Sequence, residues 1–209
     1  MAALLESLDA QLHPEHTALL VIDMQNDFCA EDGYLSKRRD YKVGFAAGVA
    51  DRIKRLMDAV RPLGVRIVWV RSIYDFKYLT PAYRVKRGEE GCCLENTWGA
   101  DYFRIAPEEG DVVIDKHSFS GFHNTKLHEL LQREGIKTLV LAGVATNVCV
   151  DSTLREGFFL GYSIVLAEDC VGSNSKVGHE GTLATVRNNI GTVIDSREIA
   201  RLLGGSLAD

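Results

Sequence analysis

Apolar positions along this chain keep changing period. Thr17–Ile22 (TALLVI), Val65–Val70, Val112–Asp115, Thr138–Ala142, Ser163–Ala167 and Thr192–Ile194 are short, β-branched-rich runs and predict six strands. Runs that are apolar at successive positions suit strands covered on both faces of a parallel sheet. Between them the spacing turns helical. From Val43 to Leu63, residues Ala46, Ala50, Ile53, Met57 and Val60 mark one face of a long helix that stops at Gly64. Leu127, Leu130 and Leu131 predict a helix over Asn124–Glu134, closed by Gly135. Val150, Leu154 and Phe158 predict another, Lys176–Asn189 a third, and Ser196 caps a terminal one.

Repeated β-α-β units of this kind predict a three-layer α/β/α sandwich around a mostly parallel, doubly wound sheet of about six strands. Residues 1–15 read as a short helix or arm ending at Pro14, and residues 26–41 as a polar loop. Residues 72–110 are the least regular part, an excursion over the rim of the sheet with short helical pieces. With 209 residues and no internal repeat or linker, residues 1–209 form one domain.

Composition narrows the classes. Net charge is -5, and no basic run has the length that nucleic-acid binding needs. No apolar stretch approaches the ~20 residues of a membrane span, and the N-terminus has no basic n-region, so neither a membrane nor a secretory signal is expected. The five cysteines form no CxxC pair; Cys92 and Cys93 are adjacent. A reduced, cytoplasmic protein is expected rather than a disulfide framework or a zinc site.

The candidate chemistry follows from topology. Asp23 ends the first strand, Lys116 follows the third, and Cys149 lies just past the fourth, in the first turn of a helix. In open parallel sheets the ligand crevice lies outside the carboxyl ends of the strands, so all three are expected to meet there. A helix's first turn offers unpartnered N–H groups and favours negative charge, which predicts a depressed thiol pKa at Cys149. Taken singly, Cys149 is better read as a small buried side chain at a helix–sheet contact. Asp23 and Lys116 would likewise serve as strand ends reaching the surface. Together the three favour a site.

Three segments carry a resemblance to a known family: LLVIDMQNDF around Asp23, DKHSFSGF after Lys116 and GVATNVCVDSTLREGFFLGY around Cys149. From about Thr17 to Ile194 the chain resembles the isochorismatase-like cysteine hydrolase superfamily. It looks most like the branch holding ureidoacrylate amidohydrolases, biuret hydrolases and N-carbamoylsarcosine amidohydrolases. The resemblance implies a catalytic triad of Asp23, Lys116 and Cys149. Cys149 would be the nucleophile, and Asp23 would take its proton. Lys116 would stabilise the thiolate by Coulomb attraction. The N–H groups of Ala145 and Cys149 would form an oxyanion hole, with a cis peptide between Val144 and Ala145. The implied reaction cleaves a C–N bond of a small ureido, carbamoyl or biuret-type amide through a thioester and releases ammonia. A vinyl-ether hydrolase and a non-catalytic binding member of the fold are the alternatives. The resemblance also implies a homodimer or homotetramer.

Departures from the family pattern matter as well. Nicotinamidases of this family carry an Asp-x-His metal motif after the second strand. Here Val70–Asp75 holds no histidine, so neither a metal nor any other cofactor is expected. His117 adjoins Lys116 on a strand and should face away from it. Phe28, Trp98, Phe119 and Phe122 are candidates for walling a substrate pocket, and Thr146 for a substrate contact or a helix cap. Lys77, Arg84, Lys86, Arg87 and Arg104 are candidates for holding a substrate carboxylate, partly offset by Glu89, Glu90 and Glu95. Cys29 and Cys170 read as packing residues, and Cys92 and Cys93 as packing or solvent-side ones.

Overall fold

A computed structural model describes residues 5–87 and 91–207, with the side chain of Arg87 outside the described set. Six strands form one sheet in the order β3-β2-β1-β4-β5-β6, and every pairing is parallel. They are β1 (Thr17–Ile22), β2 (Arg66–Ser72), β3 (Val112–Lys116), β4 (Thr138–Val144), β5 (Ser163–Gly172) and β6 (Thr192–Ile194). From β1 the chain moves outward to β2 and β3, then returns to place β4 on the other side of β1. The switch point of the topology therefore lies between β1 and β4, where open α/β sheets hold their ligands.

Alternation along each strand assigns side chains to two helical layers. Leu19 and Val21 of β1, Ile67 and Trp69 of β2, and Val140 and Ala142 of β4 pack with Ile53, Leu56 and Met57 of the Ala46–Val60 helix. Ile199, Ala200 and Leu203 at the C-terminus join that layer. Ala18, Leu20, Ile22, Val68, Val70, Leu139 and Leu141 face the opposite layer. There they meet Leu127 and Leu131 of the Leu127–Arg133 helix, Leu154 of Asp151–Phe159 and Val186 of Lys176–Asn189. All of β1 and β4 is buried. Each fully buried Leu, Ile or Val contributes roughly 1.5–3 kcal/mol, which is why these two strands form the fixed platform of the site.

The differences from the sequence reading are local. Residues 26–41 hold two short helices, Asn26–Cys29 and Tyr34–Arg39, rather than a plain loop. The Leu127–Arg133 helix starts at its first apolar position, about a turn later than the expected start at Asn124, because Asn124 takes a left-handed φ of 56° and Thr125 Oγ1 accepts the Leu127 N–H. Phe158, expected on the buried face, is 40 % exposed; Gly157 takes the inward position against Leu139 and Phe122 instead. β2 runs two residues past Val70, and β5 five residues past Ala167. No described helix is long and apolar enough to cross a membrane.

Candidate active site

At the carboxyl end of β1 the chain turns sharply. Asp23 adopts a left-handed φ of 53°, held by its N–H on the Val70 carbonyl (2.9 Å) and by the Gln25 N–H on its own carbonyl (2.8 Å). Such a conformation costs a non-glycine residue energy and persists where the surroundings fix it. Two strands away, Lys116 ends β3 and is fully buried. Its Nζ lies 2.9 Å from Asp23 Oδ2. The same ammonium donates to Ser72 Oγ at 2.8 Å, Tyr74 OH at 3.3 Å and the Ser118 carbonyl at 3.0 Å. Ser72, the last residue of β2, donates in turn to Asp23 Oδ1 at 2.9 Å. Asp23 Oδ2 meets the ammonium as an ion pair.

Cys149 reaches this pair from β4. Residues Thr146–Val150 form a π-helical turn before the Asp151–Phe159 helix, and Val144–Ala145 is a cis peptide. Ala145 and Cys149 line the same cavity. The turn is anchored from three directions. The Thr153 hydroxyl donates to the Cys149 carbonyl at 2.7 Å, Thr146 Oγ1 lies 2.9 Å from His179 Nδ1, and Ser173 Oγ donates to Asn147 Oδ1 at 2.6 Å.

Electrostatics overturn one expectation from the sequence. The Cys149 thiol is not acidified; its pKa is pushed up to about 12. Burial is the main cause and the Asp23 charge adds to it, while Lys116 offsets only part. A depressed value needs a polar helix end, and this sulfur sits in an enclosed turn beside a carboxylate. For Lys116, burial pulls the pKa down, but the charges of Asp23 and Cys149 outweigh it and the net shift is upward. Tyr74 is also raised, by burial first and then by Cys149 and Asp23. Burial and the neighbouring carboxylate thus favour the protonated form of the thiol beside the Asp23–Lys116 pair.

A cavity of about 180 Å³ opens above these groups. Asp23, Tyr74 and Cys149 line it together with the apolar Phe28, Leu35, Phe45 and Phe119 and the polar Asn147, Asn174 and Ser175. Of the five pocket candidates read from sequence, Phe28 and Phe119 line it. Phe122 does not; it is buried in the helical layer and stacks on Tyr162. Trp98 is 53 % exposed and borders a separate depression, its carbonyl accepting from Asn26. Thr146 is spent on His179, as a brace of the turn rather than a cavity wall. None of Lys77, Arg84, Lys86 or Arg104 lines the cavity. Lys77 pairs with Glu95, Arg104 with Asp51, and Arg84 donates to the Leu79 carbonyl over the Phe76 ring. The side chains of Arg87, Glu89 and Glu90 lie outside the described residues.

Other polar clusters have structural work. His117 faces away from Lys116, bonds the Ile73 carbonyl and stacks on Tyr78. Ligand atoms of Asp27, Cys92 and Cys93 lie within 4.8 Å of one another. Both Asp27 oxygens there already accept backbone N–H groups, from Tyr34 and Cys93, so the cluster locks the excursion onto the Asn26–Cys29 helix. Cys29 and Cys170 are buried and unbridged, with thiol pKa values raised by burial.

The chain belongs to the isochorismatase family: residues 17–198 match the isochorismatase domain. It is thereby a hydrolase with the α/β fold and cysteine-hydrolase relatives of that family. Among those relatives is the ureidoacrylate amidohydrolase RutB of Enterobacter sp. (strain 638), 38 % identical over 174 residues that span 75 % of each chain. A cysteine hydrolase from Pseudomonas syringae pv. phaseolicola superposes with a TM-score of 0.84 at 26 % identity, covering 98 % of this chain and 99 % of the other. N-carbamoylsarcosine amidase from Thermoplasma acidophilum superposes with a TM-score of 0.73 at 26 % identity, covering 87 % and 96 %.

Proposed function

We propose that the protein is a cysteine-dependent amidohydrolase that cleaves the C–N bond of a small ureido, carbamoyl or biuret-type amide and releases ammonia. The amidohydrolase class rests on the relatives named above. The mechanism rests on one observation: a buried Asp23–Lys116 ion pair set beside the Cys149 thiol, with Asp23 and Cys149 lining one cavity.

A thiol held near pKa 12 is a poor nucleophile at rest. Deprotonation therefore accompanies attack instead of preceding it, with Asp23 as general base. The sulfur of Cys149 bonds to the substrate carbonyl carbon while its proton passes to Asp23. Lys116 lowers the energy of the developing thiolate. The carbonyl oxygen becomes an oxyanion and takes the N–H groups of Ala145 and Cys149 as donors. One such donor is typically worth about 3–4 kcal/mol of barrier. The oxyanion re-forms the carbonyl, the C–N bond breaks, and the leaving nitrogen takes the proton from Asp23 and departs as ammonia. Water then attacks the thioester carbonyl and loses a proton to Asp23; the C–S bond breaks, the acid product departs, and the sulfur takes that proton back to restore the thiol.

The test is ammonia release across a panel of ureido, carbamoyl, biuret and simple amide compounds, with wild type and Cys149→Ala compared. Release by the wild type alone supports the reading. Equal turnover by both proteins, or none by either across the panel, removes it.

A further inference from the structure

Ser72 sits between the two charges of the triad and belongs to neither. Its hydroxyl accepts from Lys116 Nζ at 2.8 Å and donates to Asp23 Oδ1 at 2.9 Å. The side chain is fully buried, so no water competes for either bond. The consequence falls on the carboxylate, whose two oxygens are made unequal. Oδ1 is occupied by the Ser72 donor; Oδ2 carries the 2.9 Å ion-pair contact with Lys116.

Ser72 is itself held on both sides. Gln25, fully buried, donates from Nε2 to the Ser72 carbonyl at 2.9 Å and accepts the Ser72 N–H on Oε1 at 2.8 Å. The same Nε2 donates to the Ala100 carbonyl at 2.9 Å. Gln25 lies two residues past Asp23, and its N–H bonds the Asp23 carbonyl. A single amide side chain thus ties the turn of the base, the end of β2 and the excursion to one another. Buried polar networks with every bond made fix one arrangement, because any rearrangement strands a donor or acceptor.

We infer that Ser72 is a positioning residue that engages Asp23 Oδ1, directs the thiol proton to Oδ2, and keeps the carboxylate aligned with both Lys116 and Cys149. This rests on the hydrolase reading above and adds the atom that acts as base. Without the hydroxyl, Lys116 retains its 2.9 Å contact with Asp23, so the ion pair survives. The carboxylate is then free to rotate about its terminal torsion, which is soft, and a proton acceptor out of line slows transfer.

The test uses Ser72→Ala, Ser72→Thr and Ser72→Cys in the full chain. Two readouts are taken: steady-state kinetics on the best substrate of the panel, and the rate of Cys149 alkylation by iodoacetamide at neutral pH. Loss of a buried hydrogen bond to a charged group predicts a fall in kcat of about 10- to 100-fold for Ser72→Ala, with KM within about twofold. Alkylation of Cys149 slows in parallel, and Ser72→Thr, which keeps the hydroxyl, restores most of both. If Ser72→Ala does not fold, Ser72→Cys replaces it, because the thiol fills the same space and donates weakly. A folded Ser72→Ala or Ser72→Cys protein with wild-type kcat and wild-type alkylation overturns the inference, as does a fall confined to KM. The hydrolase reading fails separately, when wild-type Cys149 is not labelled ahead of the other four cysteines.

Discussion

Asp23 and Lys116 meet at 2.9 Å with both side chains buried, although one ends the first strand and the other the third. Two charges taken out of water are costly, and each is tolerable only because the other is present. Removing one therefore does more harm than removing both. Lys116→Met is expected to lose about 3–5 kcal/mol of stability, and Asp23→Asn with Lys116→Met to recover a large part of that loss. Urea denaturation of the two single variants and the double variant measures this. A Lys116→Met loss below about 1 kcal/mol would show that the pair is solvated.

Cys149→Ala is expected to lower ammonia release by roughly a thousandfold or more, because the covalent route disappears and only binding and the oxyanion donors remain. Cys149→Ser should lose nearly as much, since the same carboxylate must then deprotonate a much weaker acid. Retention of most activity in both would point to cleavage without a covalent intermediate, as a vinyl-ether hydrolase would perform it.

Gly143 is required by space and by conformation. Its φ is +115°, and a Cβ there would lie 2.0 Å from the Ile22 carbonyl oxygen, one residue before Asp23. The register between β4 and β5 also shifts at this point. Gly143→Ala is expected to cost more than about 2 kcal/mol and to displace the Asp23 turn. A thermal melt and an activity assay check both parts; unchanged values in each would show that the β1–β4 contact yields easily.

Stability should fall at alkaline pH, and Cys149 should account for part of it. Its thiol pKa rises from 9.0 to about 12 on folding. Between those values the unfolded chain releases the proton while the folded chain keeps it, so rising pH favours unfolding. The stabilisation is complete below pH 9 and is lost as pH climbs toward 12, at about 1.4 kcal/mol per pH unit for one group. Cys149→Ser should flatten the curve by about that slope between pH 9 and 10.5. Cys29 and Cys170 supply further slope of the same sign. Parallel curves for wild type and Cys149→Ser would mean that the thiol ionises freely in the native state.

The residues of the site were unevenly visible in the sequence. Asp23, Lys116 and Cys149 were legible because each follows an apolar run, and a charge or thiol at a strand end carries its own signal. Phe28 and Phe119 were legible as aromatics just beyond strands. Ser72 was not: Val65–Val70 reads as a complete strand, and a serine after it reads as the start of a loop. β2 continues to Ser72 because β3 pairs with it there, Ser72 opposite Lys116. Phe122 and Trp98 were misplaced for a related reason. An aromatic on a loop is equally suited to a pocket wall, an inner layer or the surface, and the path of the loop decides.

By itself, the chain's pattern of apolar runs and helical spacings determined the parallel sheet, its two helical layers and the strand ends where the chemistry gathers. Those follow from short-range periodicity and from the need to bury both faces of every central strand. Tertiary structure alone decided the direction of the sulfur's pKa shift, the unequal oxygens of Asp23 and the hydrogen bonds of Ser72 and Gln25. Each depends on which groups lie within a few ångströms across strands far apart in sequence, and on how little water lies between them. Desolvation, which raised the Cys149 pKa where the turn's position in sequence argued for lowering it, is a property of the assembled surroundings.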